Sequence, residues 1–268
     1  MTTALVTGAT DGIGRETARQ LGALGWRVLV HGRNEAKARR TVDALAGSAS
    51  HGTYAPVWGD LSRMQEVVTL ARQTLAQAPD LDVLINNAGV SVGTRSVTED
   101  GFELTMAVNH FAHFLLTHHL LDALHAAPAA RVVTVSSMTH SSGRIDLGDL
   151  ALAKNFDGYI AYATSKLANI LFTAALAKRL ARSPVTANCC HPGVISTKLL
   201  HSRFGMGGAP VERGARTSVY LASSPDVAKV SGKYFDDCRE TTPARAARDE
   251  ELAQSLWDAS ERMLRAFL

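Results

Sequence analysis

Ala4-Leu5-Val6-Thr7-Gly8-Ala9-Thr10-Asp11-Gly12-Ile13-Gly14 decides the fold. Residues 4–8 are β-like, and a helical pattern follows through Leu24, with Gly25 placed to end that helix as a C-cap. Strand, glycine-rich turn and helix in that order bring backbone N–H groups and the positive helix N-terminus against a pyrophosphate. Gly8 and Gly12 permit the turn and a close approach, and Gly14 lets the helix pack on the strand. The spacing is G-x-x-x-G-x-G, not the G-x-G-x-x-G of the common dinucleotide fingerprint. A tight turn without a ligand therefore fits the same residues.

Outward from this stretch, strands and helices alternate. Strands are expected at 27–31, 55–58, 81–85, 131–135, 185–191 and 233–235. Helices are expected over 34–46, 63–77, 99–125, 162–182, 212–223 and 244–266, with a loop over 47–52 and Pro79 as a breaker. Alternation throughout implies an α/β fold, a single doubly wound, Rossmann-like parallel sheet with helices on both faces. No linker, repeat or low-complexity block divides the chain, so residues 1–268 read as one domain. Two segments lack regularity, 138–158 and 194–208. A long structureless loop in a compact domain usually covers a ligand site, so both are expected to shape a substrate pocket.

The second strand ends in Gly32-Arg33-Asn34. A carboxylate at this place binds the ribose 2′-hydroxyl of NAD, whereas an arginine accommodates the 2′-phosphate of NADP. A guanidinium can fork onto phosphate and stack on adenine, so NADP(H) is preferred over NAD(H). Arg33 could equally be a solvated loop residue. Asp11, in the glycine loop, counts mildly against a nearby phosphate.

The 268 residues are 46% hydrophobic and 20% charged, with net charge +3, an ordinary globular composition. Without a block of like charge, no nucleic-acid surface is suggested. No apolar run reaches the roughly 18 residues that would span a membrane. Met1-Thr2-Thr3 leads straight into the first strand, so a cytoplasmic protein without a secretory signal or membrane anchor is expected. Cys189, Cys190 and Cys238 are odd in number and contain no Cys-x-x-Cys, which reads as reduced thiols without metal.

Polar residues collect where open α/β sheets bind ligands, at the carboxyl ends of strands. Asn86-Asn87 follow one strand and can bond sugar or adenine edges, or tie neighbouring strands together. Ser136-Ser137 end another. Asn109 sits mid-helix among Val108, Phe111 and Phe114, unfavourable unless its amide is used; it makes either a packing hydrogen bond, or a kink or water site. Tyr162 and Lys166 are four apart on a helix and share a face. A phenol near its free pKa of about 10 is a poor acid or base at neutrality, and a nearby ammonium favours the phenolate. Such a pair can carry a proton, although a half-buried tyrosine beside a solvated lysine fits the spacing too.

Jointly, Thr7-Gly8-x-x-x-Gly12-x-Gly14, Asp60, Asn86-Asn87-Ala88-Gly89, Asn109, Ser137, Tyr162-x-x-x-Lys166 and Pro192-Gly193 are specific. Their order and spacing resemble the short-chain dehydrogenase/reductase family over essentially the whole chain. Residues 108–117 and 162–173, His191-Pro192-Gly193, Ser231-Gly232-Lys233-Tyr234-Phe235 and the gap of 25 residues between Ser137 and Tyr162 resemble its retinol-dehydrogenase-like branch. That gap is longer than is usual in the family.

The resemblance implies a catalytic set. Tyr162 is the acid/base, Lys166 its tuner and ribose anchor, Ser137 the group that bonds the substrate oxygen, and Asn109 the holder of a water. Ser136 is the neighbouring candidate, but alternate strand residues face opposite sides. The resemblance also implies cofactor contacts from Gly8, Thr10, Gly12, Ile13, Arg33, Asp60, Asn87, Tyr162, Lys166, Val194, Ile195 and Thr197. The expected activity is NADP(H)-dependent interconversion of a carbonyl and an alcohol, in a homo-oligomer assembled through the long helices. A dinucleotide-binding sensor without turnover and a reductase of a carbon–carbon double bond are the alternatives. Phe156, Tyr159, Phe204 and Met206 could wall a pocket for a hydrophobic or aromatic substrate, or pack as ordinary core and lid residues.

Overall fold

The computed structural model describes residues 1–47 and 51–268, with Arg203 and Phe204 described by backbone alone. The loop expected over 47–52 and the apolar-wall role of Phe204 therefore fall partly or wholly outside the described residues.

Seven strands run parallel: β1 (Thr3–Val6), β2 (Arg27–Gly32), β3 (Thr53–Trp58), β4 (Val83–Asn86), β5 (Arg131–Val135), β6 (Thr186–His191) and β7 (Tyr234–Asp236). An eighth, β8 (Arg239–Glu240), pairs antiparallel with β7. The order across the sheet is β3-β2-β1-β4-β5-β6-β7-β8. Ala4, Leu5 and Val6 are wholly buried, as an apolar strand covered on both faces must be. The chain builds outward from β1 to β3, then returns to lay β4 on the other side of β1. That reversal opens a crevice beyond the carboxyl ends of β1 and β4.

Helices α1 (Gly12–Ala23), α2 (Glu35–Ala46) and α3 (Met64–Gln77) follow the first three strands, and α8 (Val211–Ser223) follows β6. One apolar layer gathers Ala18 and Leu21 of α1 with Leu221 and Ala222 of α8 under one sheet face. A larger layer on the other face holds α3, α5 (Ala112–Ala126), α6 (Gly158–Arg179) and α9 (Glu250–Leu264). Gly25 follows α1 at φ +82°, the left-handed conformation in which glycine ends helices without strain.

Four boundaries differ from the sequence expectation for local reasons. The helix expected from residue 99 begins at Leu104, because Gly101 turns at φ +85° and Glu103 caps by accepting the Met106 N–H. After α4 (Leu104–Met106) it widens into a π-helical turn, Ala107–Phe111, before α5. Helix α6 starts at Gly158 rather than 162, where Asp157 accepts from the amides of Tyr159 and Ile160. Residues 194–208 contain α7 (Lys198–Phe204), capped by Thr197 and stopped by Gly205 at φ +61°. Its seven residues are too few to print a period. The terminal helix begins at Glu250, after a 3₁₀ turn at Arg245–Arg248.

Contrary to the expectation drawn from apolar runs, α6 is long and apolar enough by length and composition to cross a membrane. Its most apolar window is 83% buried within the fold, which makes it a core helix. Part of that cover is α9. Trp257 stacks on Phe172 of α6 (centroids 5.8 Å, planes 9° apart), touches Phe114 of α5, and carries the Arg179 guanidinium 3.9 Å above it. Helix α9 thus covers part of the long helices through which assembly was expected.

Three core histidines are held neutral. Burial pushes His31 down to about 4, and His110 and His113 to about 3. The unfolded chain binds these protons near pH 6.5 and the folded chain does not, so stability falls as pH drops below about 6.5. Each histidine is expected to cost roughly 2 kcal/mol at pH 5 relative to pH 8. Urea unfolding at the two pH values checks this, and equal midpoints would refute it.

Candidate active site

The glycine turn lies where the crevice narrows. Gly8 has φ +63° and Gly12 φ +51°. A methyl on Gly8 would lie 2.9 Å from the Ala88 Cα, and one on Gly14 would collide with the Gly8 carbonyl and the Asn87 amide. Gly8 N–H donates to His31 Nδ1 (3.0 Å), so His31 carries its proton on Nε2 and donates it to the Gly59 carbonyl (2.9 Å). This imidazole sets the turn against the ends of β2 and β3. Its signal was present as a polar residue inside an apolar strand.

Asp11 caps α1 by accepting the Gly12 N–H and pairs with Lys198 of α7. The Lys198 bond, the Gly12 amide and Arg15 together hold its carboxyl below the usual range against the opposing effect of burial. The negative charge that counted against a phosphate is thereby matched by a cation from across the cleft. Ile13 and Gly14 stand in the first turn of α1, where amides have no partner inside the helix.

The cleft holds about 700 Å³. It is lined by every expected contact residue named above: Gly8, Thr10, Gly12, Ile13, Arg33, Asp60, Asn87, Tyr162, Lys166, Val194, Ile195 and Thr197. Ser137 lines it too, while Asn109 does not and stands behind it. Tyr159 and Met206 reach the lining, but Phe156 does not. Met138, Lys198 and Leu199, from the two irregular segments, and His191, from the strand end before Pro192-Gly193, line it as well. Lys37 lines it unforeseen from the sequence.

At the end of the crevice beyond β2, Arg33 lies 3.8 Å from Asp60 with its side chain 68% exposed. Position 32 is tight, since a methyl there would lie 2.8 Å from Thr10 Cγ2 and 3.1 Å from the Ala38 amide nitrogen.

Asn87 ties the ends of β4 and β1 together, and Asn86 ties β4 to α5. Asn87 donates through Nδ2 to the Thr7 carbonyl (2.8 Å), and Asn86 donates to Thr117 Oγ1 (3.0 Å). Asn109 sits in the π-helical turn, a deviation often met at functional sites. Its Oδ1 accepts from Val90 N–H (2.8 Å), and its Nδ2 donates to the Val90 carbonyl (2.9 Å) and to Ser165 Oγ (2.9 Å). The amide thus joins the strand-end loop to α6, the packing role, within a kink.

Lys166 is 3% exposed and donates to the Val135 carbonyl (3.0 Å), which Asn169 also approaches (3.2 Å). Its Nζ lies 5.5 Å from the Tyr162 ring centroid. A methyl on Gly89 would sit 3.4 Å from that nitrogen and 3.5 Å from Asn109 Oδ1, so Gly89 keeps the space beside both. Ser137 caps a 3₁₀ turn, Met138–Ser142, by accepting the Thr139 N–H (3.2 Å), and its hydroxyl hydrogen-bonds Tyr162. Ser136 instead donates to the Lys166 backbone carbonyl (2.7 Å).

The expected sense of the tyrosine shift is corrected. Burial pushes the Tyr162 phenol up to about 12, opposed by the Ser137 bond, and burial pushes Lys166 down to about 8. For the phenol, desolvation outweighs the Ser137 hydrogen bond. At neutral pH the site therefore presents a phenol holding its proton beside a lysine that is still mostly protonated. A carbonyl oxygen placed against Ser137 and Tyr162 would meet two hydroxyls able to donate.

A family model described as short chain dehydrogenase matches residues 2–206. Retinol dehydrogenase 14 of Mus musculus is 41% identical over 98% of this chain and 85% of its own length. Among solved structures, an uncharacterised protein from Mycobacterium paratuberculosis superposes with a TM-score of 0.82 at 33% identity, covering 99% of this chain and 94% of that one. A protein from Beutenbergia cavernae, described as an NAD(P)-dependent gluconate 5-dehydrogenase and holding NADP at low occupancy, gives 0.72 at 27% identity. The coverage there is 88% of this chain and 94% of that one.

The crowding around Gly14 is directly checkable. Gly14→Ala is expected to destabilise the fold by about 1–3 kcal/mol through overpacking, read as a lower melting temperature. An unchanged melting curve would contradict the geometry.

Proposed function

The chain belongs to the short-chain dehydrogenase family, in its retinol-dehydrogenase-like branch, and from that premise we propose that this oxidoreductase interconverts a carbonyl and an alcohol with NADP(H). The observation that carries the reading is the meeting of Ser137, Tyr162 and Lys166 at the floor of the cleft lined by the glycine turn.

The cradle fits a dinucleotide. Gly8, Gly12 and Gly14 leave no side chain between the first turn of α1 and the crevice, which favours a pyrophosphate against the helix N-terminus. Lys198 offsets the charge of Asp11 there. The bound nicotinamide would supply or accept the hydride. Tyr162 donates its phenolic proton to the carbonyl oxygen during reduction and takes it back during oxidation. Ser137 donates a hydrogen bond to the same oxygen as negative charge develops on it. Lys166, held on the Val135 carbonyl, keeps positive charge beside the phenol and anchors the nicotinamide ribose. Asn109 acts through position, fixing Val90 and Ser165 on either side. Residues 138–158 and 194–208 supply Met138 and Met206 to the rim and the start of α6 adds Tyr159, which favours a hydrophobic or aromatic substrate.

The preference for NADP(H) rests on Arg33 and on Gly32, where the carboxylate that would bind an unphosphorylated ribose is absent. Arg33→Ala is expected to weaken NADPH binding about tenfold and leave NADH nearly unchanged. Isothermal titration with both cofactors checks this, and equal affinities in the starting protein would sink the preference.

Turnover is tested with a panel of carbonyls and alcohols at the nicotinamide absorbance. Tyr162→Phe keeps the ring and removes the proton, and is expected to lower kcat by about 10²- to 10⁴-fold. Undiminished turnover in that variant would refute the acid/base role. Tight cofactor binding with no turnover on any carbonyl would favour a sensor. A product reduced at a carbon–carbon double bond would move the chain to that chemistry.

A homo-oligomer through the long helices would use the parts of them that α9 leaves uncovered. Light scattering at a dimer or larger mass supports it, and a monomer refutes it.

A further inference from the structure

His140 lies outside the catalytic set yet touches it. It sits in the 3₁₀ turn after Ser137 and is 6% exposed. One ring nitrogen, Nδ1, lies 2.7 Å from the Ser137 carbonyl oxygen. The other, Nε2, accepts the Ala244 N–H at 3.1 Å. A backbone amide can only donate, so Nε2 carries no proton. Nδ1 must then carry it and donate to Ser137. The hydrogen-bond pattern alone thus fixes a neutral ring in its Nδ1–H form. The Tyr234 ring packs edge-on against it at 5.1 Å.

The two partners come from distant parts of the chain. Ser137 follows β5, and Ala244 precedes α9, the helix that packs on α6. Helix α6 carries Tyr162 and Lys166. The Ser137 hydroxyl is oriented by Thr139 N–H and reaches Tyr162. Its carbonyl would otherwise be held only by the His140 backbone amide (3.1 Å) and the turn itself. From His140 the chain of contact runs through Ala244 and α9 back to the helix that bears the tyrosine.

We propose that His140 is a positioning residue, a neutral imidazole bridge that holds Ser137 in register with Tyr162 by tying the serine carbonyl to the Ala244 amide. This rests on the reading of Ser137 and Tyr162 as the groups that meet the substrate oxygen. A displacement of about 1 Å at such a group can cost about 100-fold in rate, so a single bond at its carbonyl is enough to matter.

Two substitutions separate the bonds. In His140→Asn the side-chain amide nitrogen falls near Nδ1, so the donation to Ser137 is kept and the bond to Ala244 is lost. In His140→Gln the amide oxygen falls near Nε2, so the bond to Ala244 is kept and the donation to Ser137 is lost. A bridge needs both ends, so on a substrate found in the panel each variant is expected to lose about 10- to 100-fold in kcat, with KM for NADPH unchanged in both. A parent-like kcat in either variant, or losses that follow their melting temperatures, would overturn the bridge. Tyr162→Phe is run alongside. If it stays active the parent reading fails, whereas an inactive Tyr162→Phe with a fully active His140→Gln fails the bridge alone. Nitrogen NMR of the ring needs no turnover. The Nδ1–H neutral form supports the bridge, and the Nε2–H form refutes it.

Discussion

A single hydroxyl closes the centre of the sheet. Where parallel strands stop, backbone groups lose their ladder partners and must find others inside the protein. Thr7 Oγ1 accepts from the amides of Asn87 (2.9 Å) and Ala88 (3.0 Å) at the end of β4. With its lone pairs so engaged, its hydrogen faces the Ile85 carbonyl and His113 Nε2, each at 3.3 Å. The ends of β1 and β4 are thereby drawn together until only a hydrogen atom fits on Gly8 beside Ala88. The glycine turn, the strand-end asparagines and the crevice above them all follow from that closeness. His113 brings α5 into the same knot, and Asn109, one turn earlier, reaches from there to Val90 and α6.

The chemistry depends on the dryness this packing creates. A phenol and an ammonium side by side in water would favour charge on both. Under the sheet's carboxyl edge, burial moves the two in opposite senses, Tyr162 upward and Lys166 downward, so each is pushed toward its neutral form. The proton therefore rests on the tyrosine until charge develops beside it, an arrangement suited to giving a proton to an oxygen that is becoming an alkoxide. The Val135 carbonyl partly offsets the cost of keeping an ammonium there, a contact made possible because β5 ends one residue before Ser136.

Much of this was readable from local pattern. Glycines that need positive φ, serines at a strand end and a four-residue spacing on a helix are short-range signals, and the cleft gathers the residues they named. The sheet could be read because apolar runs alternated with periodic helices. What escaped was set by length or by distance along the chain. Helix α7 is too short to show a period, and the π-helical turn depends on how Ala107–Phe111 packs. Asp11 meets Lys198, and His140 meets Ala244, across stretches that no local window spans. The sense of the Tyr162 shift needed a burial that spacing alone does not report. The apolar character of α6 shows locally only as periodicity, and its place in the core is set by the sheet, the turn after β5 and α9 packing around it.

The emptiness at position 32 bears on how this pocket could change over evolutionary time. Gly32 is pressed between the Thr10 methyl and the Ala38 amide. A side chain introduced there meets Thr10, which belongs to the glycine turn, before it meets any ligand. A side chain growing at that site would have to move the Thr10 methyl and press on the chain at Ala38 before it settled. A one-letter change at position 32 is therefore felt first in the glycine turn, one step before it reaches whatever the crevice holds.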